Sequence, residues 1–274
     1  MDLGLAGRTA LITGASRGFG RATALALIAE GVHVALGARG VDGLALVQAE
    51  AIEAARARAK RLGSQPTRVW TQPVDVSDAS AVASFVAGAR DALGPLDCCL
   101  VNGGGPPALD FMAASDDAWA DATRLLLASS VRLCRLVLPE MMERGWGRIV
   151  QVTSVAVRQP VPDLVLSNVV RPAVHALTRN LAVMAARRGV TVNTVAPGFH
   201  LTSAVERLIR RKLELGEAGS REEALAQWER DIPAGRLGRP EELAALIAFL
   251  MSEPAGYLTG QLIVSDGGWV RAQF

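Results

Sequence analysis

The stretch TALITGASRGFGRATALAL, residues 9–27, decides the fold prediction. It joins a short β-branched and aliphatic run to an Ala/Leu-rich run through a turn that contains Gly14, Gly18 and Gly20. Glycines at a strand-to-helix turn let the backbone approach a pyrophosphate, which the free N–H groups and the dipole of the helix then stabilise. Glycines also close such turns for steric reasons alone, so the motif by itself leaves both interpretations open.

The rest of the chain repeats this alternation of short apolar runs and helical stretches. The runs with strand character are TALITG, HVALGA, VWTQPVDV, CCLVNGGG, GRIVQVTS, VTVNTVAPG and QLIVSDGG. Strands separated by helices form βαβ units, and runs that are apolar on both faces suit a parallel sheet covered by helices on both sides. The sequence therefore predicts an α/β fold: a single doubly wound Rossmann domain over residues 1–274 with a seven-stranded parallel sheet.

Composition bounds the class of protein. The chain has 274 residues, 50% hydrophobic and 20% charged, which is ample for one buried core. Its net charge of +2 comes from 29 basic and 27 acidic residues that are interspersed, so neither nucleic acid nor a membrane is expected as a partner. No leader pattern or membrane-spanning run is found, so a cytoplasmic location is expected. Cys98, Cys99 and Cys134 are odd in number and favour buried structural thiols over a metal site.

Residues 199–239 interrupt the alternation with charged amphipathic segments. An insertion of this kind is typical of a helical lid over a substrate site, and a plain surface hairpin fits the same pattern. The next helix is predicted to begin after Arg239, with Pro240 at its first position and acidic residues in its first turn.

The end of the second predicted strand bears on the choice of nucleotide. A site for NAD offers an acid to the adenosine ribose, whereas Ala38 and Arg39 stand here. A guanidinium without a neighbouring acid favours a 2′-phosphate, which Arg binds through two parallel hydrogen bonds, and Arg17 adds a second cation. Both arginines also fit a solvated surface, and Asp42 is a rival ribose contact. The pattern favours NADP(H).

Five motifs together resemble the short-chain dehydrogenase/reductase family over nearly the whole chain: TGASRGFG, VDV at Asp75, VNGGG at Asn102, APGFHLT and YLTGQLIVSDGG. The resemblance implies cofactor contacts from the glycine turn, from an adenine-contacting pair and from Thr202 at the nicotinamide carboxamide. The implied cofactor-binding residues are Gly14, Ser16, Arg17, Gly18, Phe19, Gly20, Arg39, Asp75, Val76, Asn102, Gly103, Arg171, Pro197, Gly198 and Thr202.

The catalytic positions depart from that family, which uses Ser, Tyr, Lys and Asn for hydride transfer at a carbonyl or alcohol carbon. Ser154 matches the family serine, and the Tyr and Lys positions fall on Ser167 and Arg171. The Asn position falls on Leu126. The lone tyrosine, Tyr257, lies in the C-terminal motif and cannot replace the missing one.

These substitutions change the chemistry that is available. An aliphatic hydroxyl is a much poorer proton donor than a phenol, so Ser167 can hydrogen-bond a carbonyl without serving as an efficient acid. Arg171 can bind ribose hydroxyls and stabilise a developing alkoxide, but it cannot shuttle protons. The stretch VLSNVVRPAV, residues 165–174, is also predicted to start a helix, with Ser167 or Asn168 as its N-cap.

His200 is a candidate substitute acid because imidazole titrates in a suitable range and the resemblance places it near the nicotinamide. A packing role in the pocket wall or lid is the competing interpretation. Arg158 and Asp163 belong to a predicted loop, and each fits either a substrate contact or a solvated side chain. The basic run RLIRRKLE, with Arg207, Arg210, Arg211 and Lys212, fits a phosphate-bearing or acyl-carrier substrate or a solvated helix face.

Two functions from different classes follow. The first is an NADP(H)-dependent oxidoreductase resembling 3-oxoacyl-acyl-carrier-protein reductases, acting on a small carbonyl or alcohol such as a 3-oxoacyl thioester, with Ser154, Ser167, Arg171 and His200 as candidate catalytic residues. The second is a catalytically idle NADP(H)-binding subunit or redox sensor. The resemblance implies a homotetramer, in which the apolar tail at residues 257–274 takes part, and a heteromer remains an alternative.

Overall fold

The computed structural model describes residues 1–272, and within them seven strands form one parallel sheet in the order β3-β2-β1-β4-β5-β6-β7. The strands are β1 Thr9–Thr13, β2 His33–Ala38, β3 Val69–Pro73, β4 Cys98–Val101, β5 Gly147–Val152, β6 Val190–Pro197 and β7 Leu262–Ser265. The predicted α/β fold with a seven-stranded parallel sheet is confirmed over this range. Residues 273 and 274 of the predicted domain and tail lie outside the described residues.

Helices cover both faces of the sheet. They are α1 Gly18–Ala29, α2 Val41–Leu62, α3 Ala79–Leu93, α4 Asp116–Thr123, α5 Ser129–Arg144, α6 Val165–Ala185, α7 Ser203–Glu214, α8 Arg221–Asp231 and α9 Pro240–Leu250. Side chains of a strand point alternately to opposite faces. In β1, Ala10 and Ile12 accordingly join the core beneath α1, α2 and α9, whereas Leu11 joins the core beneath α3, α5 and α6.

The sheet order places a crevice at one edge of the molecule. β1 pairs with β2 on one side and with β4 on the other, so the connections that leave β1 and β4 diverge to opposite sides. In open α/β sheets, ligands bind at this reversal, outside the carboxyl ends of the strands. Gly14 follows β1 and Asn102 follows β4, so both lie at the mouth of this crevice.

The start of α6 differs from the prediction. The helix begins at Val165 with Leu164 as N-cap, so the expectation that Ser167 or Asn168 caps it was wrong. Leu166 and Val170 pack into a buried cluster, which favours helix from the first turn. The Asn168 side chain instead holds the preceding loop, since its Oδ1 accepts from Val161 N at 3.1 Å and its Nδ2 donates to Val161 O at 2.8 Å.

The helices α7 and α8 fill most of the irregular segment 199–239. They share a small core of their own, in which Val205 and Ile209 of α7 meet Trp228 of α8. The prediction for the following helix is confirmed, because Pro240 is the first residue of α9 and Glu241 and Glu242 stand in its first turn.

Two further expectations concern cysteines and membranes. Cys98, Cys99 and Cys134 are buried free thiols, and burial raises the pKa of Cys134 to about 12. Residues 1–272 contain no group of His, Cys, Asp and Glu side chains arranged to hold a metal ion. None of the helices in this range combines the length and the apolar character needed to cross a bilayer.

Candidate active site

The turn between β1 and α1 requires glycine at two positions. Gly14 has φ +61°, and a Cβ there would lie 2.7 Å from Asn102 Nδ2 and 2.8 Å from Asn102 O. A Cβ on Gly20 would lie 2.3 Å from Gly14 O, so the first turn of α1 packs directly on the end of β1. Any larger residue would push these backbone segments apart.

Asn102 and Thr13 lock the turn to β4. Asn102 Nδ2 donates to Thr13 O at 3.2 Å and to Gly14 O at 3.3 Å. Asn102 N donates to Thr13 Oγ1 at 3.0 Å, and Thr13 Oγ1 lies 2.8 Å from the acceptor Asn102 O. Sequence reasoning singled out Asn102 and missed Thr13, although a polar residue that ends a buried strand just before a glycine was a usable signal.

The N-terminus of α1 has no side-chain cap. Its N-cap residue, Arg17, makes no capping hydrogen bond and no acid stands in the first turn, so the first N–H groups of α1 have no side-chain partner. Unpaired N–H groups and the helix dipole favour an anion at such an end. The turn therefore fits the pyrophosphate of a dinucleotide.

Two predicted cations border the turn. Arg17 and Arg39 are exposed, and Arg39 follows the carboxyl end of β2. Arg39 Nη2 lies 3.9 Å from the Cβ position of Gly104, so this side chain reaches toward the loop that follows β4. Ser16 packs against Gly43, with its Cβ 3.3 Å from the Cβ position there, and the rival acid Asp42 lies exposed in the first turn of α2.

The third predicted cofactor segment follows β3. Asp75 Oδ1 accepts from Ser77 N at 2.9 Å, which shapes a tight turn before α3. Val76 is buried, and its Cγ2 lies 4.0 Å from the Cβ position of Gly103. The structure thus brings this pair and the glycine run after β4 to the same crevice.

Arg171 connects α6 to the end of β5. Its Nε donates to Ser167 Oγ at 2.8 Å, and its Nη1 donates to Thr153 O at 2.9 Å and Val152 O at 3.3 Å. Nη2 lies 3.8 Å from the Cβ position of Gly105. Burial lowers the pKa of the guanidinium to about 10, so Arg171 remains a cation at neutral pH.

The two candidate serines differ in their hydrogen bonds. Ser154 is half-buried immediately after Thr153, and its Oγ accepts from Ala156 N at 3.2 Å. Ser167 is buried and its Oγ accepts from Arg171, because a guanidinium can only donate. Within residues 1–272, the Ser167 O–H has no acceptor among the protein's hydrogen bonds, so its proton is available to an oxygen in the site.

Leu126 occupies an irregular helical turn that the sequence did not signal. The turn Arg124–Ala128 between α4 and α5 is π-helical, and Leu126 stands at its centre. A π-turn interrupts the regular i→i−4 hydrogen bonds of the helix and often marks a functional site. Leu126 lines a cavity of about 20 Å³ together with Asn102, Ser130 and Arg171, so the residue predicted at the family's Asn position does reach the site.

The segment that follows β6 lies over the glycine turn. Pro197 ends β6, and a Cβ on Gly198 would lie 2.7 Å from Asp266 Cβ, so glycine permits the close approach of the two chain segments. Thr202 is the N-cap of α7, and its Cγ2 lies 3.6 Å from the Cβ position of Gly18. These contacts bring Pro197, Gly198 and Thr202 to the crevice.

His200 is a packed side chain. It is buried, its ring meets Phe19 edge-to-face at 5.2 Å between centroids, and its Nε2 lies 2.6 Å from the Cβ position of Gly238. Nδ1 lies 3.2 Å from Gly198 O, and burial lowers the pKa of the ring. This environment supports the packing interpretation rather than a proton donor.

Other candidates lie outside this group. Arg158 and Asp163 are exposed in the loop before α6, where Asp163 has φ +57°. Tyr257 is fully exposed before the amino end of β7, whereas the site lies at the carboxyl ends of the strands. The tyrosine is therefore remote from Ser154 and Ser167.

The chain is similar over nearly its whole length to proteins that are named as reductases and dehydrogenases. Residues 14–270 match the family described as enoyl-(acyl carrier protein) reductase. The chain is 32% identical over 266 residues to 2-keto-3-deoxy-L-fuconate dehydrogenase of Xanthomonas campestris pv. campestris, covering 97% of this chain and 81% of that protein. It is 32% identical over 262 residues to 3-oxoacyl-(acyl-carrier-protein) reductase FabG of Salmonella typhimurium, covering 96% and 97%.

A solved structure shows that the similarity extends to the fold. The L-sorbose reductase of Gluconobacter frateurii, complexed with NADPH and L-sorbose, superimposes with a TM-score of 0.88 at 32% identity. The match covers 99% of this chain and 100% of the reductase chain. The fold similarity therefore extends over the glycine turn, the end of β5 and the helices α7 and α8.

Proposed function

Because the chain belongs to the short-chain dehydrogenase/reductase family, we propose that it is an NADP(H)-dependent oxidoreductase that interconverts a small carbonyl compound and its alcohol. The observation that carries this proposal is the convergence, at one end of the sheet, of the uncapped glycine turn and the Arg171–Ser167 pair. The nicotinamide would supply or accept the hydride when bound.

The cofactor contacts follow from the residues at the crevice. The N–H groups at the start of α1 would bind the pyrophosphate. Arg17 and Arg39 favour a 2′-phosphate, because Arg39 and no acid follows the end of β2. The wider set proposed to contact the cofactor is Gly14, Ser16, Gly18, Phe19, Gly20, Asp75, Val76, Asn102, Gly103, Arg171, Pro197, Gly198 and Thr202.

The reacting oxygen would be held by hydroxyl and guanidinium groups. Ser167 can direct its free O–H at a carbonyl oxygen, because its lone pair already accepts from Arg171 Nε. Ser154 provides a second hydroxyl, and the charge of Arg171 stabilises an alkoxide as it develops. Neither serine nor arginine exchanges protons readily near neutral pH, so solvent water would supply the proton. In this proposal, the positions of the family's Tyr, Lys and Asn are occupied by Ser167, Arg171 and Leu126.

The substrate class is proposed from the relatives and from the lid. A 3-oxoacyl thioester is one candidate, since a 3-oxoacyl-(acyl-carrier-protein) reductase is among the similar proteins. We also propose that residues 1–274 are one domain in which α7 and α8 form a lid over the substrate, because Thr202 seats this segment on Gly18.

We expect the purified protein to bind NADPH more tightly than NADH and to reduce members of a panel of 3-oxoacyl thioesters and small ketones. Ser154→Ala should lower turnover about 100-fold with an unchanged Kd for NADPH, because it removes one donor to the oxygen. Fluorescence titration and NADPH oxidation measure these two quantities. If the protein instead binds NADPH, turns over no member of the panel, and shows the same behaviour as Ser154→Ala, it is an idle NADP(H)-binding subunit or redox sensor.

We further propose a homotetramer. Apolar side chains are exposed on α6 at Val169, Val183 and Met184. Before β7, Tyr257 and Leu258 are exposed as well. Light scattering should give the mass of four chains, and Val183→Asp should yield smaller species because it places a charge in the apolar interface. Leu46→Asp is the matched control, since Leu46 is comparably exposed on the outer face of α2. A tetramer that survives Val183→Asp would contradict an interface on α6.

A further inference from the structure

We propose that Arg207 of α7 is a third ligand for the 2′-phosphate of NADP(H), beside Arg17 and Arg39, so that the phosphorylated cofactor holds α7 down on the glycine turn. This inference rests on the NADP(H) dependence proposed above. It assigns to the lid a role in cofactor selection as well as in substrate enclosure.

The position of α7 is the first support. Thr202 seats the N-terminus of the helix on Gly18, the residue that follows Arg17. Arg207 Nη1 lies 3.3 Å from Ser203 O, to which it donates, so its guanidinium is folded back by one helical turn toward that N-terminus. The side chain therefore points along α7 toward the glycine turn rather than away from it.

The charges around Arg207 are the second support. Partial burial and the positive charges of Arg17, Arg210 and Arg39 lower the pKa of Arg207, in keeping with its place on α7, whose N-terminus packs on the glycine turn. None of the ion pairs formed within residues 1–272 involves any of these four arginines. Glu206, the adjacent acid, is held by Arg221 of α8 at 2.5 Å.

Clustered guanidinium groups without an acid repel one another, and a dianion would relieve this repulsion. A phosphate monoester carries close to two charges and three acceptor oxygens, so it can accept from several guanidinium groups at once. Arg39 lies at the end of β2, where the adenosine ribose is expected, and this position favours the 2′-phosphate over the pyrophosphate.

The test compares Arg207→Gln with Arg188→Gln. Both substitutions remove one positive charge from an exposed site, but Arg188 lies before the amino end of β6, at the opposite end of the sheet. For Arg207→Gln we expect the Kd values for NADPH and 2′,5′-ADP to rise roughly tenfold, while the Kd for NADH stays unchanged. Arg188→Gln should leave all three values unchanged. Calorimetry or fluorescence titration measures them.

Limited trypsinolysis gives a readout that does not depend on binding strength. The α7 helix contains Arg210, Arg211 and Lys212 as cleavage sites in both the parent protein and Arg207→Gln. Saturating NADPH should protect these sites in the parent protein, saturating NADH should protect them much less, and Arg207→Gln should lose the difference.

If NADPH and NADH binding weaken equally, Arg207 contacts the pyrophosphate that both nucleotides share, and the proposal is overturned. An unchanged Kd for NADPH would also overturn it, and a raised KM for substrate in that variant would assign Arg207 to a substrate anion instead. A parent protein that binds neither nucleotide would refute the proposed function itself, whereas tight NADPH binding in both proteins would refute only the role of Arg207.

Discussion

Arg171→Met is expected to lower turnover about 100- to 1,000-fold, the range seen when one preorganised donor to a developing oxyanion is removed. Methionine matches the aliphatic part of the arginine side chain but has no charge and no donor. The substitution removes the donors to Ser167 Oγ and Thr153 O, so it also loosens the connection between α6 and the end of β5. Steady-state kinetics with the best substrate of the carbonyl panel measures the loss.

Arg179→Met is the matched control for this experiment. Arg179 lies on the same helix and donates to Gly260 O at 3.3 Å, outside the crevice. Its replacement should change turnover by less than about threefold, within the range of ordinary surface substitutions. If both variants lose activity equally, the effect of Arg171→Met reflects a general disturbance of α6 rather than the charge in the site.

The pH dependence of turnover provides a second readout for Arg171. Turnover should be nearly constant from about pH 6 to 9 and should fall as the pH rises through about 10, where Arg171 loses its positive charge. A His200 acid would place this decline at a much lower pH. Since burial lowers the pKa of His200, turnover would then already decline as the pH rises through a value below the usual range of histidine.

Gly20→Ala is expected to weaken NADPH binding more than about 100-fold, because its Cβ would lie 2.3 Å from Gly14 O and the turn must open to accommodate it. Opening the turn moves the N–H groups of α1 away from the position of a pyrophosphate. Nucleotide titration measures the loss, and a circular dichroism melt shows whether the variant remains folded.

Gly40→Ala is the control for this substitution. Gly40 directly follows Arg39, which borders the same crevice. It has φ −82°, and among the described residues no atom lies within 4 Å of its Cβ position. Alanine fits there without strain, so the Kd for NADPH should be unchanged. A folded Gly20→Ala protein that binds NADPH as the parent does would show that the glycine turn is not the pyrophosphate site.

Some of the site was predictable because the backbone requirement is local. Gly14 and Gly20 lie within one strand-to-helix turn, and their spacing alone indicates a close approach of the two segments. Asn102 and Arg171 were found only through the order of motifs along the chain, since their partners are distant in sequence: Thr13 ends β1 and Thr153 follows β5. Thr13 was missed because its hydroxyl acts on β4 rather than on its neighbours in sequence.

The start of α6 shows how tertiary contacts override a local signal. Ser167 and Asn168 are good N-cap residues, yet Asn168 bonds to Val161 and Ser167 to Arg171. Burial of Leu166 against Leu126 favours an earlier helix start, and such packing outweighs the energy of one cap. The π-turn around Leu126 carried no recognisable sequence signal.

By itself, the sequence determined the parallel α/β sheet and the glycine turn, because apolar periodicity and glycine spacing act over a few residues. Only the tertiary structure decided that His200 packs between Phe19 and Gly238, and that Arg207 turns toward the cationic edge of the crevice. These outcomes depend on which distant segments meet. Burial and charge repulsion arise from these long-range contacts, which local sequence patterns do not encode.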